Sequence, residues 1–313
     1  MNDTWESSPV SNKIGINFKH DQTLRLALIH PSYAKQLNDP EINNQRLEFL
    51  GTSVLNLIVV DYLVRNFSYL SLAKIKALKD KITAPDRQTQ LWYDLQLGDA
   101  YPFLALKEER YRLKVKEQNP FEEAFRALVG AIYIDRGFSQ ARNWVHKHLI
   151  SPLLQKHLKP EVEFSPTDKQ LQYLGEILLE VIINDYLYHQ IKQTQPQKLK
   201  VLARKLTAKD TQTQYLSKLF PDHQKSESLA QLLSQLYLQL EQENSKSSLR
   251  QISNSFKDHC LDEDEIMALA IALLLKDGLA QKWIIHHMMG YPSNKYNEGR
   301  EKFYKLTGQT PLL

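Results

Sequence analysis

The stretch Asn43-Asn44-Gln45-Arg46-Leu47-Glu48-Phe49-Leu50-Gly51-Thr52-Ser53-Val54-Leu55 returns in altered form as Asp168-Lys169-Gln170-Leu171-Gln172-Tyr173-Leu174-Gly175-Glu176-Ile177-Leu178. The copies stand 124 positions apart, and the same offset carries Ile82-Thr83-Ala84-Pro85-Asp86-Arg87-Gln88-Thr89-Gln90 onto Leu206-Thr207-Ala208-Lys209-Asp210-Thr211-Gln212-Thr213-Gln214. A chance match would lose its register over that distance, so the chain reads as a tandem duplication. Within the first copy Leu47, Leu50, Val54, Leu55, Ile58, Val59 and Tyr62 recur at helical spacing. That periodicity predicts a long core helix reaching about Asn66.

Composition bounds the rest. A chain of 313 residues, 42% apolar and 24% charged, is long enough for two soluble domains, each with its own core. No apolar run approaches the ~18 residues of a membrane span. The amino terminus has neither a basic region nor an apolar core, so a cytoplasmic protein is expected. The single cysteine, Cys260, excludes an internal disulfide and a cysteine-rich metal site, and reads as an ordinary thiol near a helix. A net charge of +4 permits nucleic-acid binding without requiring it. Ten glycines against long stretches of leucine, lysine, glutamine and alanine predict an all-α fold.

Along the chain, residues 1–14 read as a loose polar arm, followed by a helix near 21–30 that Pro31 limits. The helix predicted for 71–82 sets Lys74, Lys76, Lys79 and Lys81 against Leu72, Ile75, Leu78 and Ile82. Its repeat carries Lys198, Lys200, Arg204, Lys205 and Lys209. Such a face suits a polyanion, though it is equally what a solvated face looks like. A turn is expected around Gly98 and Tyr101-Pro102, a solvated mixed-charge run over 107–117, helices from 121 to about 137 and from 139 to 154, and a linker over 155–166. The second copy carries extra residues around 217–262.

The first copy resembles the ribonuclease III signature through Arg46, Leu47, Glu48, Phe49, Leu50, Gly51, Val54 and Leu55. Two more stretches resemble that family: Ala27-Leu28-Ile29-His30-Pro31-Ser32-Tyr33 upstream, and Glu123-Ala124-Phe125-Arg126-Ala127-Leu128-Val129-Gly130 downstream. The resemblance implies two ribonuclease III-like helical domains, 15–155 and a divergent 165–290, paired within one chain, with 291–313 as a tail. It implies a site where carboxylates from two crossing helices hold magnesium, whose hard oxygen ligands serve phosphodiester hydrolysis. It also implies that His30 is structural.

Carried over residue by residue, the first site becomes Gln45, Glu48, Thr52, Glu123 and Arg126, and the second becomes Lys169, Gln172, Glu176, Asp264 and Met267. Each keeps two carboxylates of the family's inner four. Arg126 brings a permanent cation where a metal would sit, and a thioether at Met267 is a poor magnesium ligand. These acids also read as ordinary helical residues kept by ion pairs, and His286-His287 as incidental. The expectation drawn is a pseudo-enzyme with no cofactor, needing magnesium only if activity is retained. It would bind structured or double-stranded RNA or a ribosomal particle through Lys74, Lys76, Lys79, Lys81, Lys198, Lys200, Arg204, Lys205 and Lys209. The alternatives are an active magnesium-dependent endoribonuclease and a protein-interaction module. A homodimer is a further possible arrangement.

Overall fold

The computed structural model describes residues 5–39, 42–97, 120–154, 164–192, 195–223, 227–243 and 248–308. Among these the chain is helical with no β-strand, as the composition predicts. The turn at Gly98 and Tyr101-Pro102, the run 107–117 and most of the linker 155–166 lie outside the described residues.

Of the expected loose arm over 1–14, residues 1–4 lie outside the described residues, and the rest is not loose. Residues Ser8–Ile14 form α1, whose Val10 and Ile14 are buried, and the Trp144 indole donates to the Ile14 carbonyl at 2.8 Å. Apolar burial and one satisfied carbonyl hold a segment whose polar composition hides two core residues. Next come α2 (Asp21–Leu28) and α3 (Pro31–Gln36). The His30 ring accepts from the Ser32 amide at 3.2 Å and caps α3, the structural role expected of it. Helix α4 (Gln45–Asn66) is the centre of the molecule, buried along nearly its whole length. By length and composition it could cross a membrane, but its apolar residues lie in the protein core. Helices α5 (Leu72–Ile82) and α6 (Pro85–Asp94) follow.

Helix α7 (Pro120–Arg136) crosses α4 at very short range because each offers a glycine there. A Cβ on Gly51 would land on the Arg126 carbonyl, and one on Gly130 would land on the Leu47 carbonyl. Backbone meets backbone, which fixes the rotation of both helices and so the direction of every side chain beside the crossing. Helix α8 (Phe138–Val145) runs through a π-helical turn at His146–Ile150 into α9 (Ser151–Leu154).

The second half repeats this order in part. Helix α10 (Asp168–Gln190) begins with a capping box between Thr167 and Gln170 and is the counterpart of α4. Helices α11 (Pro196–Leu206) and α12 (Lys209–Leu219) match α5 and α6. They are followed by α13 (Leu229–Gln242), α14 (Ser248–Cys260), α15 (Glu263–Lys276) and α16 (Gln281–Trp283). The last helix, α17 (Tyr296–Thr307), is no free tail. It packs on α15, buries Phe303, and brings Gly299 against Ile285 and Tyr291.

Helices α4 and α10 lie side by side and antiparallel. The Arg46 guanidinium donates to the Tyr188 carbonyl at 2.6 Å, while the Gln170 amide donates to the carbonyls of Ser68 and Leu70 at 2.9 and 2.8 Å. The start of each helix thus meets the end of the other. A buried charge cluster adds a second tie. Asp61 of α4 receives Arg65 at 2.6 Å, and Arg142 of α8 donates to Glu241 of α13 at 2.5 Å.

The helix that crosses α10 is not the one the repeat predicts. Gly175, the counterpart of Gly51, faces the Ala230 carbonyl of α13, so α13 occupies on α10 the place α7 occupies on α4. Small residues at Ala230 and Ser234, one turn apart, allow this approach. The extra segment therefore supplies a core helix. Substituting Gly51→Ala or Gly175→Ala should each cost about 2–3 kcal/mol of unfolding free energy in urea titrations. A change below about 0.5 kcal/mol for Gly175→Ala, the range of a surface substitution, would mean that α13 does not sit on α10.

Candidate functional site

Helix α4 and helix α7 bring Glu48, Glu122, Glu123 and Arg126 to one face of their crossing. The Arg126 guanidinium reaches Glu48 at 3.3 Å, pairs with Glu122, and donates through Nε to the Gln88 side chain at 3.2 Å. Its acidic partners are thus Glu48 and Glu122, the latter one turn back on its own helix and absent from the sequence-derived set. Thr52 turns its hydroxyl onto the Glu48 carbonyl at 2.7 Å and is spent within α4. Gln45, on the first turn, has its backbone amide held by the Asn43 side chain at 2.9 Å.

Glu123 has a different setting. Burial pushes its carboxyl up to about 7, the Glu48 carboxylate adds to the rise, and Lys200 of α11 partly offsets it. A carboxyl that titrates near neutrality can give or take a proton under ordinary conditions. Two magnesium ions do not fit this arrangement, because a permanent cation already holds Glu48 and Glu122. Among the described residues no group of three or more His, Cys, Asp or Glu side chains could hold a metal.

The second predicted site does not assemble. Asp264, in the first turn of α15, pairs with Lys302 at 3.3 Å and Lys305 at 3.5 Å on α17, and hydrogen bonding to Lys302 holds its carboxyl below the usual range. Met267 is buried beside His189, near the far end of α10. Glu176 and His189 are thirteen residues apart on α10, or about 20 Å along a helix rising 1.5 Å per residue. The true neighbours of Gln172 and Glu176 come from α13 and its approach. Gln172 donates to Glu176 at 2.8 Å and meets the Ser228 hydroxyl. The crossing register makes Ala230 the counterpart of Arg126, and Glu227 precedes the α13 N-cap, Ser228. The sequence signal for this was the Ser228-x-x-Gln231 capping box, which marks where α13 starts. Lys169 is exposed at the start of α10.

Of the nine basic residues, Lys74, Lys76 and Lys81 on α5, together with Lys200, Arg204, Lys205 and Lys209 in and just after α11, are exposed. Lys79 and Lys198 are more covered, and Lys198 pairs with Asp277. Lys76 does not point away from the protein: its ammonium lies 4.8 Å from the centre of the Tyr173 ring on α10. Cys260 is buried, and burial pushes its thiol up to about 11, consistent with an ordinary thiol. His286 bonds the Tyr291 carbonyl at 2.7 Å, and His287 stacks on Trp283.

Because the folded protein holds the Glu123 proton more tightly than an unfolded glutamate at 4.5, this group's contribution to stability is complete below about pH 4.5. It is lost as pH rises towards 7. The Glu123→Gln variant should therefore lose less stability than the parent between pH 4.5 and 8. The gain at pH 8 should be about 1–2 kcal/mol after allowance for solvent screening, read from urea midpoints. Parallel pH profiles for the two proteins would show that Glu123 titrates normally.

A family model described as Ribonuclease-III-like matches residues 20–153. Ribonuclease 3 of Borreliella burgdorferi is 36% identical over 132 residues, covering 42% of this chain and 53% of the relative. Ribonuclease 3 of Francisella tularensis is 31% identical over 175 residues, covering 56% of this chain and 70% of the relative. The nuclease domain of ribonuclease III from Campylobacter jejuni is 25% identical, covers 52% of this chain and 100% of that chain, and superposes with a TM-score of 0.40. The chain spans about half the length of the first of these relatives (53%). The expectation of a protein without enzymatic activity is overturned by these relatives, which bear the name of an endoribonuclease family. Nor does the expected absence of a cofactor find support, since that family usually uses magnesium. With the signature helix α4, its glycine crossing with α7 and these relatives, the chain belongs to the ribonuclease III family.

Proposed function

We propose that the protein engages double-stranded or otherwise structured RNA and acts in RNA processing as a ribonuclease III-type endoribonuclease. The observation that carries this reading is the placement of two equivalent basic helices, α5 and α11, along the seam where α4 and α10 run antiparallel. Their exposed lysines and arginine offer phosphate contacts on both sides of that seam. Duplex RNA is recognised mainly by shape and by its phosphates and 2′-hydroxyls, so a broad basic surface needs no base-reading element.

The two halves act together as one intramolecular pair. Tethering raises the effective concentration of each half for the other, and the cluster of Asp61, Arg65, Arg142 and Glu241 holds them in register. At the α4–α7 crossing, Glu123 is the residue suited to moving a proton near neutral pH, and Glu48 raises its affinity for that proton. Arg126 holds Glu48 and Glu122 in place.

The test is incubation of the parent protein with labelled duplex RNA in magnesium or manganese, with binding and cleavage followed in the same samples. Binding should weaken steeply as salt rises, because counterions are released from the phosphates. Cleavage should fall by about 10²-fold or more in the Glu123→Gln variant, the usual worth of a positioned proton carrier. RNA bound but left intact across both metals would overturn the endoribonuclease reading, and no RNA affinity would overturn the whole.

A further inference from the structure

The seam between the halves has approximate twofold symmetry, but its equivalent positions differ in charge. Residues 124 apart on the central helices set Asp61 and Arg65 of α4 against Asp185 and His189 of α10. The glycine crossings relate the helices laid over them. Arg126 meets Gly51 where Ala230 meets Gly175, so equivalent positions on α7 and α13 differ by 104. Tyr133 then corresponds to Tyr237, and Gly137 to Glu241. Each tyrosine crosses to the aspartate of the other half. The Tyr133 hydroxyl donates to Asp185, and the Tyr237 ring lies at the Asp61 cluster, 5.5 Å from the Arg65 guanidinium.

One turn further on, the two ends of the seam part. Helix α7 ends at Arg136, whereas α13 runs to Gln242 and brings Glu241 to Arg142 at 2.5 Å. Arg142 also lies 3.9 Å from Asp61, which receives Arg65 at 2.6 Å. Two arginines of the first half thus meet one carboxylate of their own half and one of the second. None of the four side chains is more than 27% exposed.

These charges balance only when unlike halves pair. A second copy of the first half, set in place of α10 and α13, would bring Tyr133 and Gly137 to this point and leave both arginines to share Asp61. It would also put Val64 where Tyr188 stands, removing the ring 5.3 Å from the Arg46 guanidinium. Symmetry would repeat both losses at the other end. A pair of second halves would set Glu241 beside Asp185. The neighbours of Asp185 among the described residues are His189 at 3.6 Å, the Tyr133 hydroxyl and the field of the exposed Lys257, with no arginine. A charge taken from water and left without its partner is strongly destabilising, so each like pairing carries a penalty that the unlike pairing escapes.

We propose that Arg142 and Glu241 select which half pairs with which. The α4–α8 face of the first half accepts the α10–α13 face of the second and rejects another copy of itself. This rests on the reading of the two halves as one pair, and adds the choice of partner to it.

The test uses the full chain with a protease site placed in the linker over 155–163 and cut after folding, so both halves are present in equal amounts. Cut parent is mixed with an isotopically heavy cut chain carrying Arg142→Glu and Glu241→Arg together. The mixture is unfolded in urea, refolded, and its pairs are weighed by native mass spectrometry. First–second pairs of matching charge should exceed mismatched ones by about 10-fold or more, and should exceed like pairs by the same margin. In the uncut chain Arg142→Glu and Glu241→Arg should each lower the urea midpoint, and the two together should recover most of the loss. That second measurement needs no reassembly of separate halves. Equal amounts of matched and mismatched pairs, or uncut losses that simply add, would overturn the selection and leave the paired halves standing. Pairs of first halves predominating in the cut parent would overturn the selection and the internal pair together.

Discussion

The structure depends on the direct contact of two backbones at Gly51 and Gly130. With no Cβ on either residue, α4 and α7 come close enough for the Arg126 and Leu47 carbonyls to occupy the space a side chain would fill. Such a contact leaves little freedom in the crossing or in the rotation of either helix. Glu48, Glu122 and Arg126 meet because the crossing directs them to one point. The same device operates at Gly175 and Ala230 in the second half, with a different helix supplying the other surface.

That exchange of helices explains the divergence of the second half. The pair Asp264 and Met267 lies on an apolar helix with the right composition, and sequence alone makes α15 the natural counterpart of α7. The contest was decided by what Gly175 can accept. Ala230 and Ser234 on α13 are small and one turn apart, and α13 also brings Glu241 to Arg142 and Tyr237 to the Arg65 face. Burial of Leu229, Leu233 and Leu238 adds an apolar term of about 1.5–3 kcal/mol for each fully buried side chain. Helix α15 then packs outward, where Asp264 serves as an anchor for α17.

Charge follows the same division. At the first crossing Arg126 pairs locally with Glu48 and Glu122, while the exposed cations stand on α5 and α11 at the seam between halves. Lys200 belongs to the second half in sequence but lowers the proton affinity of Glu123 in the first. The electrostatics of either half are therefore incomplete without the other. In a duplicated chain this is a consequence of antiparallel α4 and α10, which place the start of each copy beside the end of its partner.

The sequence by itself determined the helical fold, the repeat and its offset, the core role of α4, and Arg126 as a cation among acids. These were legible because helical periodicity and capping are local, and because a repeat carries its register with it. Only the tertiary structure decided that Arg126 pairs with Glu122, that α1 and α17 are packed, that Asp264 and Glu176 are apart, and that α13 rather than α15 crosses α10 at Gly175. Each of these depends on which helix fills a given groove. That choice is made by the fit of small residues and buried charges from distant parts of the chain, and spacing along the sequence does not record it.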